Sequence, residues 1–317
     1  MGALLPFFLI AAVTAARRSL HTWPHRRRWA YVVGTLFLLS PLATEFGSIF
    51  LSATSVGLAL AFSIKVADLH AGRVDPATLQ SWWRFVVWFV IPPRTRWPDD
   101  AQARKQVRRM GLRRWARLGC KAVLLLALLR LNARHVWPWP LGIWAAAFQV
   151  YFIISGFSDL VTGTAMLVGF DTQEVFAAPF LARSPADFWG CRWNLFVSDF
   201  FRRHIFRPLA KGGHTFAAAF AVFLLSGLAH EYFVFVCVSR DQFWPGLMTA
   251  FFLIQGLAVI AAAWLRSHLR PIFFVPTPLK IASHFLWLAA TVWLFIKPLD
   301  PGIIEFERLV RPLLQFS

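Results

Sequence analysis

Long apolar stretches alternate with shorter basic stretches along most of the 317-residue chain. Several apolar stretches approach or reach the roughly 17–25 residues that a helix needs to cross the hydrocarbon core of a membrane. The pattern predicts membrane spans at residues 2–16, 29–42, 49–66, 121–132 with its flanks, 141–160, 216–238, 243–265 and 281–296. We therefore expect an all-α, polytopic integral membrane protein with about eight transmembrane helices plus short interfacial helices.

Three stretches have features beyond simple hydrophobicity. Residues 81–91 are rich in Trp and Phe but too short to cross a membrane, which is typical of an interfacial or re-entrant helix. Residues 94–121 are strongly basic and predict a cytoplasmic loop with an amphipathic surface helix around residues 101–117. At residues 2–16, basic residues follow the apolar stretch instead of preceding it. We therefore expect a spanning or partly inserted helix with its N-terminus outside, and not a secretory signal.

The composition excludes an ordinary soluble protein. Hydrophobic residues make up 58% of the chain and charged residues only 15%, whereas soluble domains are about 45–50% apolar.

The three cysteines, Cys120, Cys191 and Cys237, are scattered, which argues against a disulfide framework and against a zinc site. No internal repeat or linker is evident, so we expect residues 1–317 to form a single multi-pass membrane domain.

The formal net charge of +18 raises the question of nucleic acid binding. The basic residues, however, lie in blocks between apolar stretches, near residues 17–28, 94–121, 202–211 and 266–270. That distribution is typical of cytoplasmic loops, where basic residues set the orientation of the spans. We therefore expect membrane lipid and no nucleic acid as a partner, and both termini outside.

The apolar stretch 216–238 contains two adjacent ionisable residues, His230 and Glu231. Ionisable groups are costly inside a membrane and commonly mark a functional site there. Side chains on a helix lean over the preceding turn, so Ser226 and Gly227 are expected beneath the imidazole. Both are small and leave room either for a substrate or for a neighbouring helix. The alternative is a packed histidine that hydrogen-bonds across helices.

The acidic residues of the apolar stretches favour structural roles. Glu231 does not complete a metalloprotease motif, because Val234 stands where the second histidine would be needed. We expect Glu231 to pair with a cationic partner on another helix. Asp159 lies near the middle of a long apolar tract and is expected to be a satisfied structural carboxylate. We predict no metal site.

The segment that precedes the histidine begins with a helix-start pattern. Ser184 suits the N-cap, Pro185 the first helical position and Asp187 the capping box. Four residues separate Trp189 from Trp193, so on a continuous helix they share a face. They are either interfacial anchors or ligand contacts.

Polar residues follow these tryptophans. The amide of Asn194 requires hydrogen-bond partners. Basic side chains could hold phosphates by charge-assisted contacts, or could form a solvated loop that faces anionic lipid. They are Arg192, Arg202, Arg203, Arg207 and Lys211.

The order of these motifs carries a resemblance. DFWGCRWN, a basic tract ending in Arg207-Pro208, SGLAHE and then FFLIQG resemble the signature of the membrane-bound O-acyltransferase superfamily. Within it the pattern is most similar to the plant-type wax synthase family, and the strong resemblance covers residues 184–256. Two departures from that family's pattern are visible. Cys191 stands where the family usually has Arg, and Phe206-Arg207-Pro208 stands near the position of the family's Tyr-x-Pro segment.

The resemblance implies an O-acyltransferase that moves a fatty acyl group from acyl-CoA to the hydroxyl of a lipophilic alcohol and forms a wax ester. It implies His230 as the catalytic histidine and Asn194 as the second signature residue. His230 would take the alcohol proton, and Asn194 would either stabilise the oxyanion or orient a helix or the substrate. Acyl-CoA is then a co-substrate, and no bound cofactor is required. The residues expected to contact substrate are Trp189, Arg192, Trp193, Ser226 and Gly227, with Arg202, Arg203, Arg207 and Lys211 as candidates for the CoA phosphates.

Several alternatives remain open from the sequence. The acceptor could be a sterol, a diacylglycerol or a small hydroxylated metabolite, and the donor could be acetyl-CoA. A different class is a multi-pass proton-coupled transporter, in which His230, Glu231 and Asp159 form a proton relay. A third is a catalytically silent scaffold. The membrane is either a bacterial inner membrane or the endoplasmic reticulum.

Overall fold

The structure is a computed structural model that describes residues 13, 26–43, 48–91, 94–135, 137–268 and 275–314. Apart from Val13, the predicted first span at residues 2–16 lies outside the described residues.

The described chain is almost entirely helical, which confirms the all-α prediction. The fourteen α-helices of the described residues, numbered in chain order, are α1 Arg26–Leu39, α2 Ile49–His70, α3 Pro76–Gln80, α4 Trp82–Val90, α5 Ala101–Arg134, α6 Leu141–Val168, α7 Pro185–Cys191, α8 Leu195–Phe201, α9 Arg207–Ala210, α10 Thr215–Cys237, α11 Leu247–His268, α12 Thr277–Thr291, α13 Trp293–Ile296 and α14 Asp300–Leu314. Short 3₁₀ turns cover Ser40–Ala43, Pro179–Leu181 and Lys297–Leu299, and a π-helix covers Arg202–Phe206. Strands β1 Thr95–Arg96 and β2 Asp171–Thr172 pair antiparallel, with Thr95 opposite Thr172.

Four described helices are long and apolar enough to cross a membrane: Leu51–His70, Leu141–Val168, Thr215–Cys237 and Leu247–His268. A fifth span results if Thr277–Thr291 and Trp293–Pro312, which meet at a bend of 43°, are counted together. The protein is therefore a multi-pass membrane protein.

The count of about eight spans is not confirmed. The predicted span at residues 121–132 is the C-terminal part of α5, a single 34-residue helix that begins in the basic stretch. The predicted surface helix 101–117 and the predicted span 121–132, which we expected to be separate, thus belong to one continuous helix. The predicted span at residues 29–42 corresponds to a shorter apolar helix, Val32–Leu42.

The chain divides into two compact units, one of residues 1–118 and 158–173 and the other of residues 119–157 and 174–317. The single-domain organisation of residues 1–317 stays a prediction.

Aromatic rings form the core of the first unit. Phe62 and Phe89 stack with ring centroids 5.3 Å apart, and Phe37 packs against both. In the same unit the Asp159 carboxylate accepts a hydrogen bond of 2.6 Å from the Arg117 guanidinium. Asp159 is therefore a satisfied structural carboxylate, as the sequence predicts.

The second unit contains the signature segment and is built around the antiparallel pair α10 and α11. A Cβ added to Gly227 would lie 2.8 Å from the Cα of Thr249, and one added to Gly256 would lie 2.8 Å from the Cβ of Phe223. The two glycines thus let the helices approach closely at two levels. Phe251 and Phe252 of α11 fill the core beside this contact.

Candidate active site

The imidazole of His230 is held by its own helix. Its Nδ1 lies 2.8 Å from the backbone carbonyl oxygen of Ser226, one turn earlier. A carbonyl oxygen only accepts hydrogen bonds, so in the neutral ring Nδ1 carries the proton and Nε2 has the lone pair. This arrangement leaves Nε2 as the basic atom.

Two aromatic rings pack against the imidazole of His230. Its centroid lies 4.4 Å from that of Phe252 on α11 and 5.7 Å from that of Phe295 on α13. The imidazole itself is only partly buried. The site therefore combines a fixed base with an apolar wall, which suits a substrate with an apolar chain.

The two small residues beneath His230 have different roles. The backbone carbonyl of Ser226 orients the imidazole. Gly227 is buried against Thr249 of α11. Of the two uses that the sequence left open for this glycine, the structure shows the close approach of a neighbouring helix.

The Glu231 carboxylate binds the N-terminus of the next helix, α11. The prediction of a cationic partner on another helix is therefore wrong. Glu231 Oε1 accepts a hydrogen bond of 2.7 Å from the Gly246 backbone N–H. Its Oε2 accepts from the backbone N–H and the hydroxyl of Thr249, at 3.1 and 3.0 Å. The first turn of a helix has unpaired N–H groups and a partial positive charge, so it stabilises a carboxylate as a cationic side chain would.

The signature segment begins with the predicted cap. Ser184 Oγ accepts a hydrogen bond from the Asp187 backbone N–H at 3.1 Å. Asp187 in turn accepts from the Arg183 backbone N–H at 3.0 Å and from the Arg192 guanidinium at 2.9 Å. Burial raises the pKa of the Asp187 carboxyl, but the Arg183 N–H and the Arg192 guanidinium outweigh it, so the pKa lies below its usual value.

The helix does not continue through this segment. It ends at Cys191, and α8 starts at Leu195 with Asn194 as its N-cap. Asn194 has left-handed backbone angles, φ 41° and ψ 62°, which few residues other than Gly adopt but Asn tolerates. Its Oδ1 accepts from the Val197 N–H at 3.4 Å. The predicted hydrogen-bond partner of the Asn194 side chain is thus the Val197 N–H, which binds the amide oxygen. The NH₂ group of the same amide carries two N–H donors.

The break changes the placement of the two tryptophans. The prediction that Trp189 and Trp193 share one helical face is wrong, because a turn separates them, although their ring centroids still lie 6.4 Å apart. Trp189 packs on Phe252, with centroids 5.4 Å apart, and so reaches the ring that contacts His230. Trp193 packs instead against Tyr151 and Phe176.

The basic residues are not equally available. Arg192 binds Asp187 and also points an N–H at the carbonyl of Ala178, at 3.2 Å. The Arg203 side chain is 8% exposed and pairs with Asp199 at 3.0 Å. Arg202 is exposed and donates to the Gly190 carbonyl at 2.8 Å.

Arg207 and Lys211 are both exposed, and they lie just before α10. They are the best placed of the basic candidates for an anionic group that arrives from water.

Sequence reasoning missed the role of Gln255, which is completely buried on α11. Its Oε1 lies 3.4 Å from Trp189 Nε1 and 3.3 Å from Trp287 Nε1, and its Nε2 donates to Thr291 Oγ1 at 2.8 Å. The amide therefore joins α7, α11 and α12. An amide in the middle of an apolar span was the available signal, since such a group requires partners.

Within the described ranges, no group of three or more His, Cys, Asp or Glu residues could hold a metal ion.

A family model described as "Membrane bound O-acyl transferase family" matches residues 172–254, which begin in β2 and end on α11. The predicted resemblance to the membrane-bound O-acyltransferase family is confirmed. The matched region contains Trp189, Asn194 and His230, whereas Gln255 and Phe295, which contact Trp189 and His230, lie beyond it.

Three proteins of Arabidopsis thaliana are similar to parts of this chain. "Probable long-chain-alcohol O-fatty-acyltransferase 1" is 34% identical over 39% of this chain and 40% of the relative. "Probable long-chain-alcohol O-fatty-acyltransferase 2" is 32% identical over 46% of this chain and 42% of the relative. "Probable long-chain-alcohol O-fatty-acyltransferase 8" is 28% identical over 74% of this chain and 69% of the relative. The chain thus matches less than half the length of the first two.

The transporter alternative gains no support. Asp159 is bound by Arg117, and Glu231 is bound by Gly246 and Thr249. Both carboxylates therefore have structural partners and need no role in a proton relay.

Proposed function

We propose that this protein is an acyl-CoA-dependent O-acyltransferase that esterifies a lipophilic alcohol with a fatty acyl group and so forms a wax ester. The observation that carries the proposal is His230, whose Nδ1 is held by the Ser226 carbonyl while its ring packs on Phe252. The similarity to proteins named long-chain-alcohol O-fatty-acyltransferases supports a fatty acyl group and a long-chain alcohol as the two parts of the ester.

His230 acts as the general base. Its Nε2 takes the proton from the acceptor hydroxyl as that oxygen attacks the carbonyl carbon of the thioester. The C–S bond then breaks, and the imidazolium returns the proton to the CoA thiolate. General acid–base catalysis of this kind contributes about 10²–10⁴-fold.

Asn194 supplies the second signature group. Its Oδ1 is used in the cap of α8, so the NH₂ end is the part that can donate to the oxyanion of the tetrahedral intermediate. The hydrogen bond from the Val197 N–H orients this amide.

The polar and the apolar parts of the substrates bind to different groups of residues. The CoA phosphates bind at the exposed basic residues Arg207 and Lys211, and Arg202 assists from the π-helix. The acyl chain and the alcohol chain lie against the rings of Trp189 and Phe252. The donor is an acyl-CoA and no bound cofactor takes part. The membrane is either a bacterial inner membrane or the endoplasmic reticulum.

The test is ester formation by purified protein in lipid nanodiscs. Labelled palmitoyl-CoA would be supplied with hexadecanol, a sterol or a diacylglycerol, and wild type would be compared with His230→Ala and His230→Gln. We expect hexadecyl palmitate from wild type and a loss of about 10²-fold or more in both variants. His135→Gln is the matched control, because His135 is exposed and follows α5, away from the signature segment. Equal rates for wild type and His230→Ala would exclude His230 as the base, and no ester with any acceptor would overturn the proposal.

A further inference from the structure

A second histidine, His284 on α12, is buried without a hydrogen bond to either ring nitrogen in the described part of the chain. It is 3% exposed, and neither ring nitrogen has a hydrogen-bond partner among the described residues. A buried polar atom without a partner is costly, and such atoms in native proteins usually have a specific explanation. Burying an imidazole without a hydrogen bond costs free energy that a Leu or Phe side chain in the same apolar space would not cost.

The ring lies beside the signature segment. The His284 centroid is 5.3 Å from that of Phe188, the residue before Trp189. Trp189 contacts Phe252, which contacts His230. One run of aromatic rings therefore connects the two histidines without bringing them together.

The antiparallel packing of α11 and α12 gives their order along the site. Phe251 contacts Phe295, and Gln255 binds Thr291 one turn further along α11. His284 lies seven residues before Thr291 on α12. A helix rises 1.5 Å per residue, so His284 lies about 10 Å beyond Thr291 along the helix axis, on the side away from Phe295 and His230.

Along α12, the direction from Thr291 to His284 points toward the end of the helices where basic residues lie. The last turn of α11 carries Arg266 and His268, and α12 begins after the same connection. The chain before α10, which packs beside α11, carries Lys211. His284 thus lies between the end where the CoA phosphates would bind and the histidine where the thioester would react.

We propose that His284 hydrogen-bonds an amide of the pantetheine arm of acyl-CoA, an assignment that rests on the proposed function. The arm is the part of CoA between the phosphates and the thioester, and two methylene groups separate the sulfur from its first amide. A neutral imidazole offers one donor and one acceptor, and so does a secondary amide. A long-chain alcohol has its only polar group at the reacting end, near His230, and therefore leaves His284 without a partner. His284 is a positioning residue that holds the donor and takes no part in proton transfer.

The first test measures binding without catalysis. S-hexadecyl-CoA, a thioether that cannot react, is titrated into purified wild type, His284→Leu and His284→Gln, with 1-hexadecanol as the second ligand. We expect His284→Leu to weaken S-hexadecyl-CoA binding about tenfold and to leave hexadecanol binding unchanged. His284→Gln keeps a donor and an acceptor and should lose less. His135→Gln is the control and should bind as wild type does.

A second readout separates binding from folding. Removal of an unpaired buried imidazole should leave the melting temperature of the ligand-free His284→Leu protein equal to or above that of wild type. In the ester assay the KM for palmitoyl-CoA should rise while kcat changes little. Loss of hexadecanol binding instead, or equal S-hexadecyl-CoA affinity in all variants, would overturn the assignment. Wild type that does not bind S-hexadecyl-CoA would contradict the proposed function itself.

Discussion

The carboxylate of Glu231 accepts two hydrogen bonds from Thr249, one from the backbone N–H at 3.1 Å and one from the hydroxyl at 3.0 Å. This contact ties the helix that carries His230 to the first turn of α11. The same turn lies against Gly227, so the two contacts reinforce each other. The position of Phe252 next to the His230 ring depends on this junction.

Loss of the Glu231 carboxylate should therefore destabilise the helix pair. Glu231→Ala leaves three donors of the α11 N-terminus without their acceptor, and we expect a loss of about 1–3 kcal/mol in the free energy of unfolding. Glu231→Gln keeps one acceptor oxygen and should lose less. Unfolding in detergent followed by circular dichroism measures the difference. Asp241→Ala, an exposed carboxylate in the preceding loop, is the control, and equal stability of Glu231→Ala and this control would contradict the role.

A methyl group at either glycine of the helix pair should also be costly. In Gly227→Ala and Gly256→Ala the new Cβ lies 2.8 Å from an atom of the other helix, and such overpacking costs about 1–3 kcal/mol. Gly57→Ala is the matched control on α2, because a Cβ there meets no described atom within 4 Å. That substitution should be neutral or stabilise by about 0.5–1 kcal/mol. Thermal melts of the three variants should separate Gly57→Ala from the other two.

Gln255→Leu should destabilise the second unit, because it leaves the indole N–H groups of Trp189 and Trp287 without their acceptor. We expect a loss of about 1–3 kcal/mol and a shift in tryptophan fluorescence. Thr291→Val combined with Gln255→Leu should cost less than the sum of the two single changes, since Thr291 is one of the partners. Additive losses would show that the amide does not connect these helices.

Acid should remove the contribution of Asp187. Its pKa in the folded protein lies below the ordinary value of 3.8, so the folded state favours the carboxylate. The resulting stability is fully present above the unfolded pKa and is lost as the pH falls through the folded pKa. Wild type should therefore be more stable than Asp187→Asn at neutral pH, and the difference should shrink below about pH 4. A difference that stays constant down to pH 2 would contradict this origin.

The exposed basic residues should act on CoA and not on the acyl chain. Arg207→Gln combined with Lys211→Gln should raise the KM for palmitoyl-CoA, and the effect should weaken as salt is added. The KM for a palmitoyl thioester of N-acetylcysteamine, which lacks phosphates, should not change. Arg203→Gln should instead lower stability, because its guanidinium is buried against Asp199. If the double variant raised both KM values equally, the phosphates would not be the ligand.

The sequence by itself determined the class of the protein and the candidate site. Apolar length is a local property, so the spans at 49–66, 141–160, 216–238 and 243–265 could be predicted from hydropathy alone. The cap at Ser184 could be predicted as well, because its partners lie within three residues. The order of the motifs around Asn194 and His230 carried the family resemblance, and the proposed reaction class rests on that resemblance.

Tertiary structure decided everything that depends on partners distant in sequence. The sequence could not show that Glu231 binds a helix N-terminus, because backbone N–H groups leave no trace in side-chain patterns. The break at Asn194 was also hidden, since periodicity cannot distinguish a continuous helix from two helices joined by a left-handed residue. Whether Arg203 or Arg207 is available depends on Asp199 and on the packing of the π-helix. Burial of Gln255 and His284 arises where α7, α11 and α12 meet, and only folding brings these helices together.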